Sequence, residues 1–158
     1  FISDRTVANK HHWIVYRYAE TLLTYAESMV CAFGDPDYTD EVYGYSARWA
    51  LNQVRANAQM PPVQVTDKEE FIEALRNEWR VEFAFEDHRF WDVRRWKIGS
   101  DTQRELNGVK ITKSEDGARS YYRQVCEIRK WSDRMNLYPI PQSELFKNPN
   151  LNPQNQGW

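Results

Sequence analysis

The stretch Glu78–Trp96, reading EWRVEFAFEDHRFWDVRRW, constrains the fold more than any other part of the chain. On a helix, Glu78, Glu82 and Glu86 fall at successive i,i+4 positions on one face, where adjacent like charges cost roughly 0.2–0.5 kcal/mol per pair. Cations must therefore face them. Arg80, Arg89, Arg94 and Arg95 lie nearby in sequence, and Arg17 and Arg55 lie on other predicted helices that can pack alongside. Phe83, Phe85, Phe90, Trp91 and Trp96 fall among these charges, so guanidinium planes can lie on rings while their forks bind carboxylates. The pattern predicts an ion-pair network wedged into an aromatic core, built from Glu78, Glu82, Glu86, Arg89, Asp92 and Arg95.

Two other readings use the same residues. Acids close to His88 can perform acid and base chemistry or bind a metal. A glycosidase, however, needs two carboxylates at a defined separation across a sugar, and an i,i+4 row is poorly disposed to straddle one. Direct ligand contact by His88, Arg89 or Trp91 is the remaining reading. Charges in helix-packing layers are usually paired rather than reactive, which favours the structural reading. No catalytic residue, metal ligand or cofactor is assigned from this stretch.

At 158 residues the chain is one domain's worth of sequence, long enough to bury a core. It begins at Phe1 with neither a basic n-region nor an apolar h-region, so any targeting segment is expected outside it. No apolar run is long enough to span a bilayer. A net charge of -2 gives no reason to expect nucleic acid. The aromatic content of 15% suits both cores and surfaces that stack on sugar rings. Cys31 and Cys126 fit neither a zinc spacing nor a disulfide-dense scaffold, and the sequence leaves their pairing open.

In chain order, His11–Phe33 carries a helical period, with Tyr18, Leu22, Tyr25 and Met29 on one face and Ile14, Leu23, Ala26 and Val30 beside it. Gly34, Asp35 and Pro36 end it. A second helix is expected over about Asp40–Gln59, with Val42, Tyr45, Trp49 and Val54 inward, forming an antiparallel pair with the first. Ala26, Ala47 and Ala50 allow close approach. Thr66 and Glu69 form a capping box that opens a third helix, with Phe71, Leu75, Trp79 and Phe83 buried and Ile72 and Val81 beside them. That helix should pause near Asp87, which tolerates a left-handed conformation. A shorter helix then runs from Arg89 to Trp96. GVKIT and SYYRQVCEIRKW, separated by SEDG, read as a hairpin. The proline-punctuated tail has room for one short helix, about Gln142–Lys147, and its apolar anchors predict that it folds back onto the helices.

Four stretches in this order, RYAETLLTYAES, ALNQVRANA, EWRVEFAFEDHRFWDVRRWK and YPIPQSELFKNPNLNPQNQGW, resemble the C-terminal region of SusD/RagB nutrient-binding lipoproteins. The resemblance covers nearly all of residues 1–158 and implies one SusD/RagB-like C-terminal domain of a longer protein. The segment Gly99–Arg129 carries no motif. Trp79 stands where the family usually has an arginine, and Asp87 where it has a glycine, which implies a rearranged local network.

The resemblance implies an all-α, mainly helical fold, with tetratricopeptide-like helix pairs, a small β-hairpin and an extended C-terminal tail. It also implies a non-catalytic role. Such proteins are outward-facing lipoproteins of the outer membrane, anchored by an N-terminal lipid. They bind glycans or other nutrients and deliver them to a SusC-like TonB-dependent transporter. Sugars stack on Trp or Tyr and hydrogen-bond to polar side chains. Trp13, Tyr121, Tyr122 and Trp131 lie outside the strongest helical periodicity and are the candidate ligand residues, while Trp49, Trp79 and Trp96 are assigned to the core. The alternatives are a helical-repeat scaffold that binds protein or a peptide cargo, and a glycoside hydrolase. The identity of the glycan and the oligomeric state are not encoded legibly.

Overall fold

The computed structural model describes residues 14–158. The chain divides into two compact units, the first extending to Arg89 and the second comprising Phe90–Trp158, so that the boundary falls within a helix.

The first unit is helical. Helix α1 (Tyr18–Phe33) packs against both α2 (Ala47–Asn57) and α3 (Lys68–Glu82). Its buried face is Leu22, Leu23, Ala26, Met29 and Val30. Ala47, Ala50, Leu51 and Val54 of α2 and Phe71, Leu75 and Trp79 of α3 complete the core. Ala26, Ala47 and Ala50 have no exposed surface, so the backbones of α1 and α2 approach where side chains are smallest. Gly34 ends α1 at φ 74, a left-handed cap in which its N–H donates to the Val30 carbonyl.

Several sequence expectations shift. Among the described residues helix α1 starts at Tyr18, with Ile14–Arg17 outside it, and residues 11–13 of the expected helix lie outside the described residues. Tyr18 and Ile14 are exposed rather than on the buried face. The second helix begins at Ala47 instead of Asp40. Asp40 accepts from the amides of Val42 and Tyr43, which commits the backbone to a turn. Ser46 then caps the helix by accepting from the Trp49 amide. Val42 is consequently 79% exposed, and Tyr45 and Trp49, both expected inward, are exposed and stack on each other at 4.1 Å on the outer surface. At α3 the cap is Asp67, one residue beyond Thr66, because its carboxylate reaches the amides of both Glu69 and Glu70. Val81 is exposed.

Helix α4 (His88–Arg95) bridges the two units in sequence. In the second unit, strands β1 (Glu105–Lys113) and β2 (Arg119–Ile128) form an antiparallel hairpin, with an irregularity between Leu106 and Asn107. Its turn is closed by Gly117 at φ 88, with Asp116 accepting from Ser114 and from the Ala118 amide. The short turn at Gly99–Thr102 packs on the one at Asp133–Asn136. Helix α5 (Gln142–Lys147) lies in a tail that folds back on itself. The Gln154 side chain exchanges two hydrogen bonds with the Ile140 backbone, and the Trp158 indole N–H donates to the carbonyls of Arg134 and Leu137. Tyr138 returns to α4, 6.2 Å from the Phe90 ring. No described helix is long and apolar enough to cross a membrane.

Two substitutions test this account. Leu51→Ala should lower unfolding free energy by about 2–5 kcal/mol in urea titration, because it empties a fully buried site between helices. Asp37→Asn tests a pH dependence. Hydrogen bonding from Arg48 lowers the Asp37 pKa below its ordinary value of 3.8 against the opposing effect of burial, and the Arg48 charge adds to the lowering. A depressed carboxylate pKa stabilises the fold above the unfolded-state value and loses that contribution as pH falls through the folded-state value. The melting-temperature deficit of Asp37→Asn should therefore be present at about pH 7 and shrink below about pH 4.

Candidate functional site

The charged row that dominates the sequence begins on the buried side of α3. Glu78 is one residue from Trp79 and one turn after Leu75, and is only 5% exposed. A carboxylate there requires a partner. Arg55 of α2 supplies it, its Nη1 donating to Glu78 Oε2 at 2.6 Å while its Nε donates to the Pro61 carbonyl.

One and two turns later, Glu82 and Glu86 meet the Arg17 guanidinium. Arg17 donates from Nη1 to Glu82 Oε1 at 2.6 Å, and from Nε and Nη2 to the two Glu86 oxygens at 2.9 Å each. Nη2 also donates to the Glu82 carbonyl at 2.8 Å. Burial works against the Arg17 charge, but hydrogen bonds and charge from both glutamates outweigh it and raise its pKa. The guanidinium sits 4.5 Å from the Phe83 ring centroid. Glu82 and Glu86 are half-buried rather than buried, with 21% and 23% of their side chains exposed. His88 lies 3.8 Å from Glu20, an ion pair when the imidazole is protonated, with its ring 4.3 Å from Phe83.

Between α3 and α4 the chain passes through two left-handed residues, Phe85 at φ 68 and Asp87 at φ 65. In the second unit Asp92 is buried and accepts from Arg95 Nε at 2.9 Å, and Arg95 lies over Trp96. Arg89 is half-buried. Arg94 lies 3.6 Å from the Phe90 ring centroid and donates to the Phe90 carbonyl. Glu82 and Glu86 are held by the Arg17 fork and Glu78 by Arg55, an arrangement that fixes helices, whereas Asp92 accepts from Arg95 through Oδ1 alone and its buried Oδ2 has no hydrogen-bond partner among the described residues. Within the first unit, Arg17 and Glu82 border an open concavity of about 540 Å³, lined also by Leu22, Gln53, Val54 and Asn57 among others.

Of the four candidate ligand residues, Trp13 lies outside the described residues. Trp131 is half-buried. Its ring fills the space beside Gly99, where a Cβ would come within 1.8 Å of it, and the Arg94 guanidinium lies 5.2 Å from its centroid. Tyr121 and Tyr122 are 62% and 58% exposed on β2. They are paired with Ile111 and Lys110 respectively, and as neighbours along a strand they project from opposite faces of the hairpin. The structure therefore does not bring these two rings onto one surface. A sequence search for sugar-stacking rings overlooks the cations that flank them, Lys110, Lys113, Arg119 and Arg123, whose placement follows only from the strand register.

The family model described as the SusD family matches residues 2–158. The chain is 27% identical over 150 residues to SusD-like protein P2 of Formosa agariphila, across 93% of this chain and 26% of that protein. A crystal structure of a SusD-like protein from Bacteroides fragilis superposes with a TM-score of 0.73 at 38% identity, over 92% of this chain and 26% of the other. A SusD superfamily protein from Parabacteroides distasonis gives a TM-score of 0.56 at 28% identity, over 92% of this chain and 27% of the other. The chain thus spans about a quarter of the length of the relatives it matches.

The Arg17 cluster predicts a specific failure of conservative exchange. Arg17→Lys keeps the charge but cannot serve both glutamates and the Glu82 carbonyl from one planar fork. It should cost roughly 1–3 kcal/mol by chemical denaturation, close to the cost of Arg17→Met, after allowing for solvent screening at a partly exposed site. Full rescue of stability by lysine would show that only net charge matters.

Proposed function

The chain belongs to the SusD family, and we propose that it acts as the C-terminal portion of a non-catalytic binding protein that captures a glycan at the cell surface. In this reading the whole protein is an outward-facing lipoprotein of the outer membrane, anchored by a lipid outside this sequence. It hands its cargo to a SusC-like TonB-dependent transporter. The chain's contribution is a rigid helical scaffold joined in sequence to an exposed hairpin. Tyr121 and Tyr122 are the rings on that hairpin best placed to stack on sugar.

The observation that carries this reading is the family match over residues 2–158, together with what the chain does with its acids. Glu78, Glu82, Glu86 and Asp92 are all held by arginines, so the charged row that most invites a catalytic reading is spent on holding the fold. Exposed aromatic rings, by contrast, remain on the hairpin, where stacking needs no proton transfer.

Affinity electrophoresis of the full-length protein through gels containing different polysaccharides tests the proposal. Retardation by at least one glycan is expected without release of reducing ends. Tyr121→Ala should weaken that retardation by roughly tenfold while leaving the melting temperature within about 1–2 °C, because the residue is exposed. Release of new reducing ends, abolished by Glu82→Gln, would instead establish a hydrolase. Binding of peptides with no response to any glycan would favour the scaffold or peptide-cargo reading.

A further inference from the structure

The middle of the hairpin differs from the rest of the chain in charge as well as in exposure. The protein as a whole carries a net charge of -2. Yet the paired stretches Asn107–Lys113 and Arg119–Val125 contain Lys110, Lys113, Arg119 and Arg123 and no acidic residue. None of these four cations forms an ion pair with a described residue, whereas Arg17, Arg48, Arg55 and Arg95 are all matched to carboxylates. The hairpin's four acids lie at its two ends: Glu105 and Glu127 at the open end, and Glu115 and Asp116 in the turn, where Asp116 is engaged with Ser114 and the Ala118 amide.

The register decides which of these cations share a surface. Directly opposed residues lie on the same face, and so do residues two apart on a strand. The pairs Val109↔Arg123, Ile111↔Tyr121 and Lys113↔Arg119 therefore form one face. At a rise of about 3.3 Å per residue, Arg119 and Arg123 flank Tyr121 at roughly 6–7 Å on either side along β2. Ile111 and Val109, both more than half exposed, widen the apolar floor next to the ring. The result is a tyrosine platform with guanidinium groups before and after it and an ammonium across from one of them.

Building on the glycan-capture reading, we propose that this face is a subsite for an anionic sugar. The Tyr121 ring stacks on the apolar face of the pyranose, while Arg119, Arg123 and Lys113 pair with its carboxylate or sulfate groups. Arginine forks suit both anions, since each presents coplanar or clustered oxygens to bidentate donors. The alternating ring and cation match a polymer whose sugars carry charge at regular intervals. An anionic lipid surface fits less well, because the hairpin would approach it with Glu115 and Asp116 at its tip.

Full-length protein should be tested by affinity electrophoresis against a neutral galactan, polygalacturonate and a sulfated galactan. Polyglutamate serves as a control for charge alone. Retention by one or both anionic polysaccharides, and much less by the neutral galactan, is expected, and the two anionic gels distinguish carboxylate from sulfate recognition. The double variant Arg119→Ala/Arg123→Ala should bind roughly tenfold more weakly. Arg129→Ala/Lys130→Ala, which removes the same charge from beyond this face, should bind as the parent does. Circular dichroism of both variants should match the parent, since these side chains are exposed. Lys113 should accept an amine-labelling reagent in the free protein and be protected by the bound glycan.

Equal retention by the neutral galactan, with no effect of the arginine double variant, would overturn the anionic subsite while leaving glycan capture standing. Equal retention by polyglutamate would reduce the site to charge alone. A Lys113 that resists labelling without glycan would show the face to be covered by protein. Failure to bind any glycan would remove the glycan-capture reading itself.

Discussion

One guanidinium holds together the part of the first unit on which its other geometry depends. Arg17 is the residue that precedes α1, Glu82 is the last residue of α3, and Glu86 lies in the turn beyond it. By donating to both side chains and to the Glu82 carbonyl, Arg17 pins three segments that no hydrophobic contact would fix so narrowly. A lysine offers one point of charge; the arginine plane offers a fork with a defined direction. The same bonds hold a turn that includes two non-glycine residues at positive φ, each carrying a conformational cost of order 1–3 kcal/mol. The like-charged row on α3 is thus tolerable because its partners come from other segments. Glu78 is matched from α2, and Glu82 and Glu86 from the start of α1.

How much of this was legible in the sequence depended on whether the signal was local. Gly34, the hairpin turn, the left-handed Asp87 and the short helix Gln142–Lys147 are set by residues close together in the chain, and the sequence places them well. The aliphatic part of the α1 face was equally plain. The tyrosines misled, because an amphipathic ring fits a helical period whether it ends inside or outside, and Tyr18 and Tyr45 are exposed. The start of α2 was missed for a related reason. The Asp40 side chain competes with helix formation by taking two nearby amides, and a count of apolar spacing does not register that competition.

The candidate site divided along the same line. That Glu78, Glu82 and Glu86 require cations follows from their spacing, and Arg17 and Arg55 were among the candidates. Selecting them over Arg80, Arg89, Arg94 or Arg95 requires knowing which helices touch. Tyr121 and Tyr122 show the converse. Adjacent in sequence, they look like one aromatic patch, but a strand sends them to opposite faces, and the useful neighbours of Tyr121 are two residues away or on the other strand. Trp131 stands at the packed end of the range, its ring against Gly99 and Arg94.

The contrast between paired and unpaired arginines has a consequence for how such a chain can change. Arg17 and Arg55 sit where their carboxylates would otherwise be stranded in a low-dielectric layer, so substituting either partner leaves a buried or half-buried charge uncompensated. Arg119, Arg123, Lys110 and Lys113 project from a hairpin exposed to solvent, where an unpaired charge stays hydrated and costs the fold almost nothing. Side chains there can be exchanged for others of different charge or size without disturbing the helical core. The four stretches that carry the family resemblance include the braced helices and the tail, and the hairpin lies outside them. Stability thus places a weak demand on sequence at the exposed hairpin and a strong one at the Arg17 brace.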